Sequence, residues 1–129
     1  MIVDTSALVA IVLEESGHDR LFDLITNDAL PAAVGAPTLV ELGIVLSARL
    51  GRDARPLADD LLRTLGILEI AFGEYHWREA VRAFNRFGRG RHRAALNMGD
   101  CMTYAVARLA NEPLLFVGDD FTHTDLASA

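Results

Sequence analysis

Two kinds of apolar pattern run along the chain. Short apolar runs at Met1–Val3, Ala32–Ala36, Ile67–Phe72 (interrupted by Glu69) and Leu114–Val117 read as buried strands. Between them, apolar residues recur at helical spacing. Leu8, Val9, Val12 and Leu13 mark a helix over Ala7–Glu14, capped by Thr5 or Ser6 and broken at Gly17. Leu21, Phe22 and Ile25 mark a second over His18–Thr26. Pro37 reads as the stop of the second strand. Beyond it, Leu39, Leu42, Val45, Leu46 and Leu50 form one stripe from Thr38 to Leu50, ended by Gly51. Pro56–Leu65 carries Leu57, Leu61, Leu62 and Leu65. Tyr75–Phe87 is expected to turn Ala80, Val81, Phe84 and Phe87 inward, and Gly99–Ala110 to bury Met102, Ala105, Val106 and Leu109. Gly88–Arg93 and Gly118–Thr124 read as loops.

Apolar strands alternating with helices imply an α/β fold with a parallel sheet covered on both faces. No internal repeat, linker or low-complexity tract divides the chain, so one domain over residues 1–129 is expected. In such a sheet the functional crevice lies outside the carboxyl ends of the strands.

That edge collects acids. Asp4 directly follows the first strand, and Asp119 and Asp120 follow the fourth. Glu41 lies in the first turns of the helix after the second strand, among Leu39, Val40, Leu42 and Ile44. Asp100 opens the Gly99–Ala110 helix. Taken singly, Asp4 and Asp100 have an ordinary use as helix caps, and Asp119 and Asp120 as a solvated turn. Together, acids distant in sequence on one sheet edge repel one another unless a cation joins them. Oxygen-only ligation selects Mg²⁺ or Mn²⁺, and the chemistry that uses such a site is phosphodiester hydrolysis. Thr5 and Ser6 place hydroxyls beside Asp4, suited to holding a metal water or a phosphate oxygen.

Composition narrows the choice. The chain is half hydrophobic (51%), enough for a core, and carries a formal net charge of −6. That sum argues against a nucleic-acid binder held by bulk electrostatics, but the arginines are clustered. Arg78, Arg82 and Arg86 are spaced four apart on one helical face, and Arg89, Arg91, His92 and Arg93 follow in the glycine-broken loop. Arg86, Arg89, Arg91, His92 and Arg93 are candidate RNA contacts; a solvated face or a protein contact is the plainer alternative. All 12 basic residues are arginine, which excludes lysine-dependent chemistry such as a Walker-type phosphate loop or a Schiff base. One cysteine, Cys101, excludes a cysteine-based zinc site. The N-terminus has acids at positions 4, 14 and 15 and no basic region before its apolar stretch, so a cytoplasmic location is expected.

These residues carry a family resemblance. Asp4-Thr5-Ser6-Ala7-Leu8 after an apolar strand resembles the opening motif of PIN-domain nucleases. Thr38-Leu39-Val40-Glu41-Leu42 and Asn97-Met98-Gly99-Asp100-Cys101 are similar to the segments holding that family's second and third acids. Gly118-Asp119-Asp120-Phe121, followed by Thr124-Asp125-Leu126, resembles the closing motif of the VapC branch. Gly88–Asn97 is similar to a segment of one VapC subgroup. The resemblance implies a three-layer α/β/α sandwich and Mg²⁺- or Mn²⁺-dependent cleavage of RNA, in many members tRNA. It also implies a cognate VapB-like antitoxin and a homodimer. By resemblance, Asp4 and Asp100 are core metal ligands and Glu41 completes the pocket. Asp120 is the preferred fourth acid, Asp119 lies in an outer position, and Asp125 supports the loop. Two rivals fail on residues: a phosphoaspartate receiver needs a lysine, and a dehalogenase-like phosphatase needs an acid where Ser6 stands. Another Mg²⁺ nuclease, or a silent PIN-like binding module, remains the alternative.

Overall fold

The computed structural model describes all residues, 1–129. Ten elements follow in the order β1 (Ile2–Val3), α1 (Thr5–Val12), α2 (His18–Thr26), β2 (Ala33–Gly35), α3 (Ala36–Leu50), α4 (Arg55–Leu65), β3 (Leu68–Ile70), α5 (Glu74–Phe87), α6 (Met98–Ala110) and β4 (Leu114–Leu115). The sheet order is β3-β2-β1-β4, and every pairing is parallel. Ile2 stands opposite Ala33 on one side and Leu114 on the other, so the strand C-termini all point to one edge.

The two sheet faces bury different side chains, because successive residues of a strand point to opposite faces. Val3, Val34 and Leu115 join Leu8, Leu42, Leu46 and Leu65 in a core that also takes in α2. Ile2 and Leu114 join Phe87, Leu96, Tyr104, Val106 and Phe121 under α5 and α6. The result is the three-layer α/β/α arrangement with a parallel sheet.

Element boundaries differ from the pattern-based ones for identifiable reasons. Asp4, rather than Thr5 or Ser6, caps α1, its side chain accepting from the Ser6 amide. Pro37 does not stop a strand; it sits in the first turn of α3, where its missing N–H is no loss. The strands are shorter than their apolar runs: Phe116 and Val117 lie beyond β4, and Leu114 instead also bridges to Ser128 of the tail. On α5, Ala80 and Phe87 are buried, but Val81 and Phe84 face out, 53% and 39% exposed. Helical spacing marks an apolar stripe without telling how much of its width a neighbour covers.

One close approach sets the seat of α6 on the sheet. A Cβ on Gly35, at the end of β2, would stand 2.8 Å from Cγ2 of Val106, and β-branched valine has little freedom to yield. Gly35→Ala is therefore expected to cost about 1–3 kcal/mol by overpacking. Adding Val106→Ala should give back part of that loss, as read from urea midpoints of the single and double variants.

Candidate functional site

Asp4, Glu41, Asp100 and Asp120 meet at the C-terminal edge of the sheet, each brought by a different segment. Asp4 leaves β1 and is 8% exposed, its amide donating to the Leu115 carbonyl of β4 at 2.9 Å. Its Oδ2 accepts from the Ser6 amide at 2.9 Å and from the Ser6 hydroxyl at 2.6 Å. The same hydroxyl accepts from the Val117 amide at 3.0 Å, tying Asp4 to the chain that leads into the Gly118–Thr124 loop. Glu41 comes from α3, and its Oε2 accepts from the Thr5 hydroxyl at 2.9 Å. Asp100 comes from the first turn of α6 in a reciprocal cap: its amide donates to Asn97 Oδ1 at 2.9 Å and its Oδ2 accepts from the Asn97 amide at 2.8 Å.

Two features that hold these acids were not singled out from the sequence. Thr38 and Thr103 are buried, 3% and 1% exposed, and their hydroxyls lie 3.0 Å apart. Thr38 is three residues before Glu41 and Thr103 three after Asp100, so the pair pins α3 to α6 one turn from the acids. Gly99 lets the two helices close at the acid end: a Cβ there would stand 3.2 Å from Glu41 Oε2. Pairing across 65 residues leaves no sequence signal beyond two threonines at helical offset from acids.

No arginine or other cation pairs with Asp4, Glu41, Asp100, Asp119 or Asp120, although ion pairs are common elsewhere. The field shows at Asp100. Burial pushes its carboxyl up to about 6 against the Asn97 hydrogen bond, and the charges of Asp120, Asp4 and Glu41 add to the rise. Asp119 is not among the groups acting on it. Asp119 stands in the exposed turn, its carbonyl accepting from the Thr122 amide and hydroxyl.

The remaining candidates lie elsewhere. Asp125 accepts from the Tyr104 hydroxyl at 2.6 Å and from Arg86 at 2.8 Å, clamping the C-terminal segment to α5 and α6. Burial opposes its ionisation, but the Tyr104 bond and the Arg86 charge hold its carboxyl below the usual range. The helical arginines are engaged: Arg78 with Glu74, Arg82 with Glu79 and Arg86 with Asp125. Arg89, Arg91 and Arg93 are exposed and form no ion pair. His92 faces inward, Nδ1 accepting from the Ala94 amide at 3.1 Å and its ring edge-on to Phe87.

No three of the carboxylates stand close enough to ligate one ion directly together. Asp4, Glu41 and Asp100 each commit one oxygen to the protein hydrogen bonds above and leave the other without a protein donor. This donor set fits a hard divalent cation that keeps several waters and takes one or two carboxylates directly.

The sequence model of the PIN domain matches residues 1–126. The chain belongs to the PIN-domain family. Ribonuclease VapC36 of Mycobacterium tuberculosis is 49% identical over 126 residues, covering 98% of this PIN domain and 91% of the relative. Ribonuclease VapC42 of the same species is 44% identical over 130 residues, covering 100% and 98%. These full-length matches place this PIN domain in the VapC ribonuclease branch. Among solved structures, M. tuberculosis VapC20, described as a sarcin–ricin-loop-cleaving toxin, superposes with a TM-score of 0.79 at 16% identity, covering 99% of this chain and 97% of its own. A toxin–antitoxin complex from Klebsiella pneumoniae gives 0.71 at 16%, covering 99% and 95%. At that identity both support the fold.

The raised Asp100 pKa has a stability consequence with a definite sign. The folded carboxyl binds its proton more tightly than an unfolded aspartate, near 3.8, so Asp100's contribution to stability is full below that pH and is lost as pH rises to about 6. In EDTA, Asp100→Asn keeps an acceptor for the Asn97 amide but loses the charge. The variant should melt higher than the parent at pH 7, with the gap closing by pH 4 in paired thermal scans. A gap of the opposite sign at pH 7 would contradict the crowding of charge.

Proposed function

We propose that this PIN domain is a divalent-metal-dependent endoribonuclease, the toxin of a toxin–antitoxin pair that inhibits translation and growth until a VapB-like antitoxin neutralises it. The supporting observation is the set of four unpaired carboxylates gathered at the C-terminal edge of the sheet, three of them with one oxygen spare. Asp4 and Asp100 would hold Mg²⁺ or Mn²⁺, with Glu41 and Asp120 facing it through water. Such an ion supplies charge neutralisation at the scissile phosphate and an acidified water. The protein's part is positional. Ser6 fixes the Asp4 carboxylate and the start of the closing loop with one hydroxyl, and Thr5 aims Glu41. Asn97 holds Asp100 in the first turn of its helix. Arg89, Arg91 and Arg93 offer unpaired cations to the RNA backbone, and arginine also stacks on unpaired bases.

The RNA is expected to include tRNA among its candidates, and the antitoxin is expected to cover the acid pocket. A homodimer has a ready surface: Val40 and Ile44 of α3 are 62% and 65% exposed. No helix is long and apolar enough to cross a membrane.

Purified protein incubated with total cellular RNA should give discrete fragments with Mg²⁺ or Mn²⁺ and none with EDTA. Asp100→Asn should lose at least about a hundredfold in rate, and Ser6→Ala about tenfold, since groups that orient a metal ligand carry effects of that size. Intact RNA with the folded wild-type protein and either metal would favour a silent binding module. Metal-independent fragments that persist in Asp100→Asn would place the chemistry outside this pocket.

A further inference from the structure

Beside the acid pocket lies a groove between α5 and α6 that the reaction as described does not use. Six residues line it, all apolar: Ala80, Val81, Phe84, Met98, Cys101 and Met102. It encloses about 240 Å³, below the roughly 300–1,000 Å³ of a drug-sized ligand site, so it suits one flat ring system. Its place follows from the chain. Met98 and Cys101 bracket Gly99-Asp100, so the same turn of α6 that presents the acid forms one wall. Met98 is 77% exposed, an unbranched and polarisable arm free to lie across a ring. Phe84 forms the opposite wall, and the Arg91 guanidinium sits 5.3 Å from its ring centroid. Arg91 has no acidic partner, so its donors remain free at the rim.

We infer that this groove seats one unpaired nucleobase of the RNA next to the scissile phosphate, between Phe84 and Met98, with Arg91 at its edge. The inference rests on the reading of the protein as an RNA nuclease and adds a base-binding subsite to it. An aromatic ring carrying a guanidinium that has no acidic partner, with an apolar wall opposite, offers the parts that stacking sites on single strands use. Charge selects the occupant. One wall carries the unpaired Arg91 over Phe84 and the other carries Cys101, the neighbour of Asp100, so a base in the groove has a cation at one end and the acid-bearing turn of α6 at the other. A protein partner would have to fill the groove with an apolar plug, answer the arginines with acids and still clear the carboxylates.

The test is fluorescence anisotropy with a labelled short single-stranded RNA of random sequence, and with an abasic strand of the same length, in Ca²⁺ to limit cleavage. Wild type should bind the base-bearing strand about tenfold more tightly than the abasic one. Met98→Ala, at an exposed side chain that leaves the fold intact, should remove most of that preference without weakening abasic binding, and Phe84→Leu, which also removes the ring under the Arg91 guanidinium, should remove the preference and weaken abasic binding. Arg91→Ala should weaken both strands. Equal binding of the two strands by wild type, or full preference in both variants, overturns the subsite while leaving the nuclease reading in place. Full preference together with a shift from dimer to monomer in sedimentation would assign the groove to a second copy instead. Wild type that neither binds nor cleaves any RNA removes the nuclease reading and the subsite with it.

Discussion

Like charges held together without a counter-charge constrain this molecule more than any other interaction. A parallel sheet brings all its strand ends to one edge, and here those ends and the flanking helix starts carry Asp4, Glu41, Asp100 and Asp120. In a chain with 12 arginines, none is spent on this cluster. The repulsion is tolerated because the acids are held by neutral donors: two hydroxyls, a capping amide and a buried threonine pair that locks α3 against α6. Neutral donors orient a carboxylate without neutralising it, so its charge stays available to an incoming cation. The Asp100 carboxyl, raised chiefly by its burial and further by the charges of Asp120, Asp4 and Glu41, records the strain of that arrangement.

Charge is also separated in space. The α5 arginines are tied up by Glu74, Glu79 and Asp125, which leaves Arg108 of α6 and the loop arginines Arg89, Arg91 and Arg93 without an ion pair. An acidic chain can engage a polyanion when its acids and its unpaired arginines occupy separate parts of the surface. The Tyr104–Asp125–Arg86 clamp belongs to this division: it uses one arginine and one acid to fix the C-terminal segment, and neither is then free for substrate.

How much of this could be read in the sequence differs from element to element. The parallel sheet was legible because each apolar run was followed by a helical pattern, and the position of Asp4 and Asp100 followed from the rule about strand ends. The helix caps and strand ends were less so: Pro37 signals both a strand stop and a helix start, and only the hydrogen bonds decide. Val81 and Phe84 look like core by period, yet α6 covers only part of that stripe, and the uncovered part forms the groove. The engagement of Arg78 by Glu74 and of Arg82 by Glu79 was available in their helical spacing. That of Arg86 by Asp125, and of Thr38 by Thr103, depends on segments 39 and 65 residues apart and was not.

Anomalous diffraction from crystals soaked in Mn²⁺ tests whether these carboxylates share a divalent cation. A single strong region of anomalous density is expected at the C-terminal edge of the sheet, in contact with Asp4 or Asp100 and absent from crystals of Asp100→Asn. Density confined to other surface acids, with this pocket empty and its carboxylates unmoved, would contradict it.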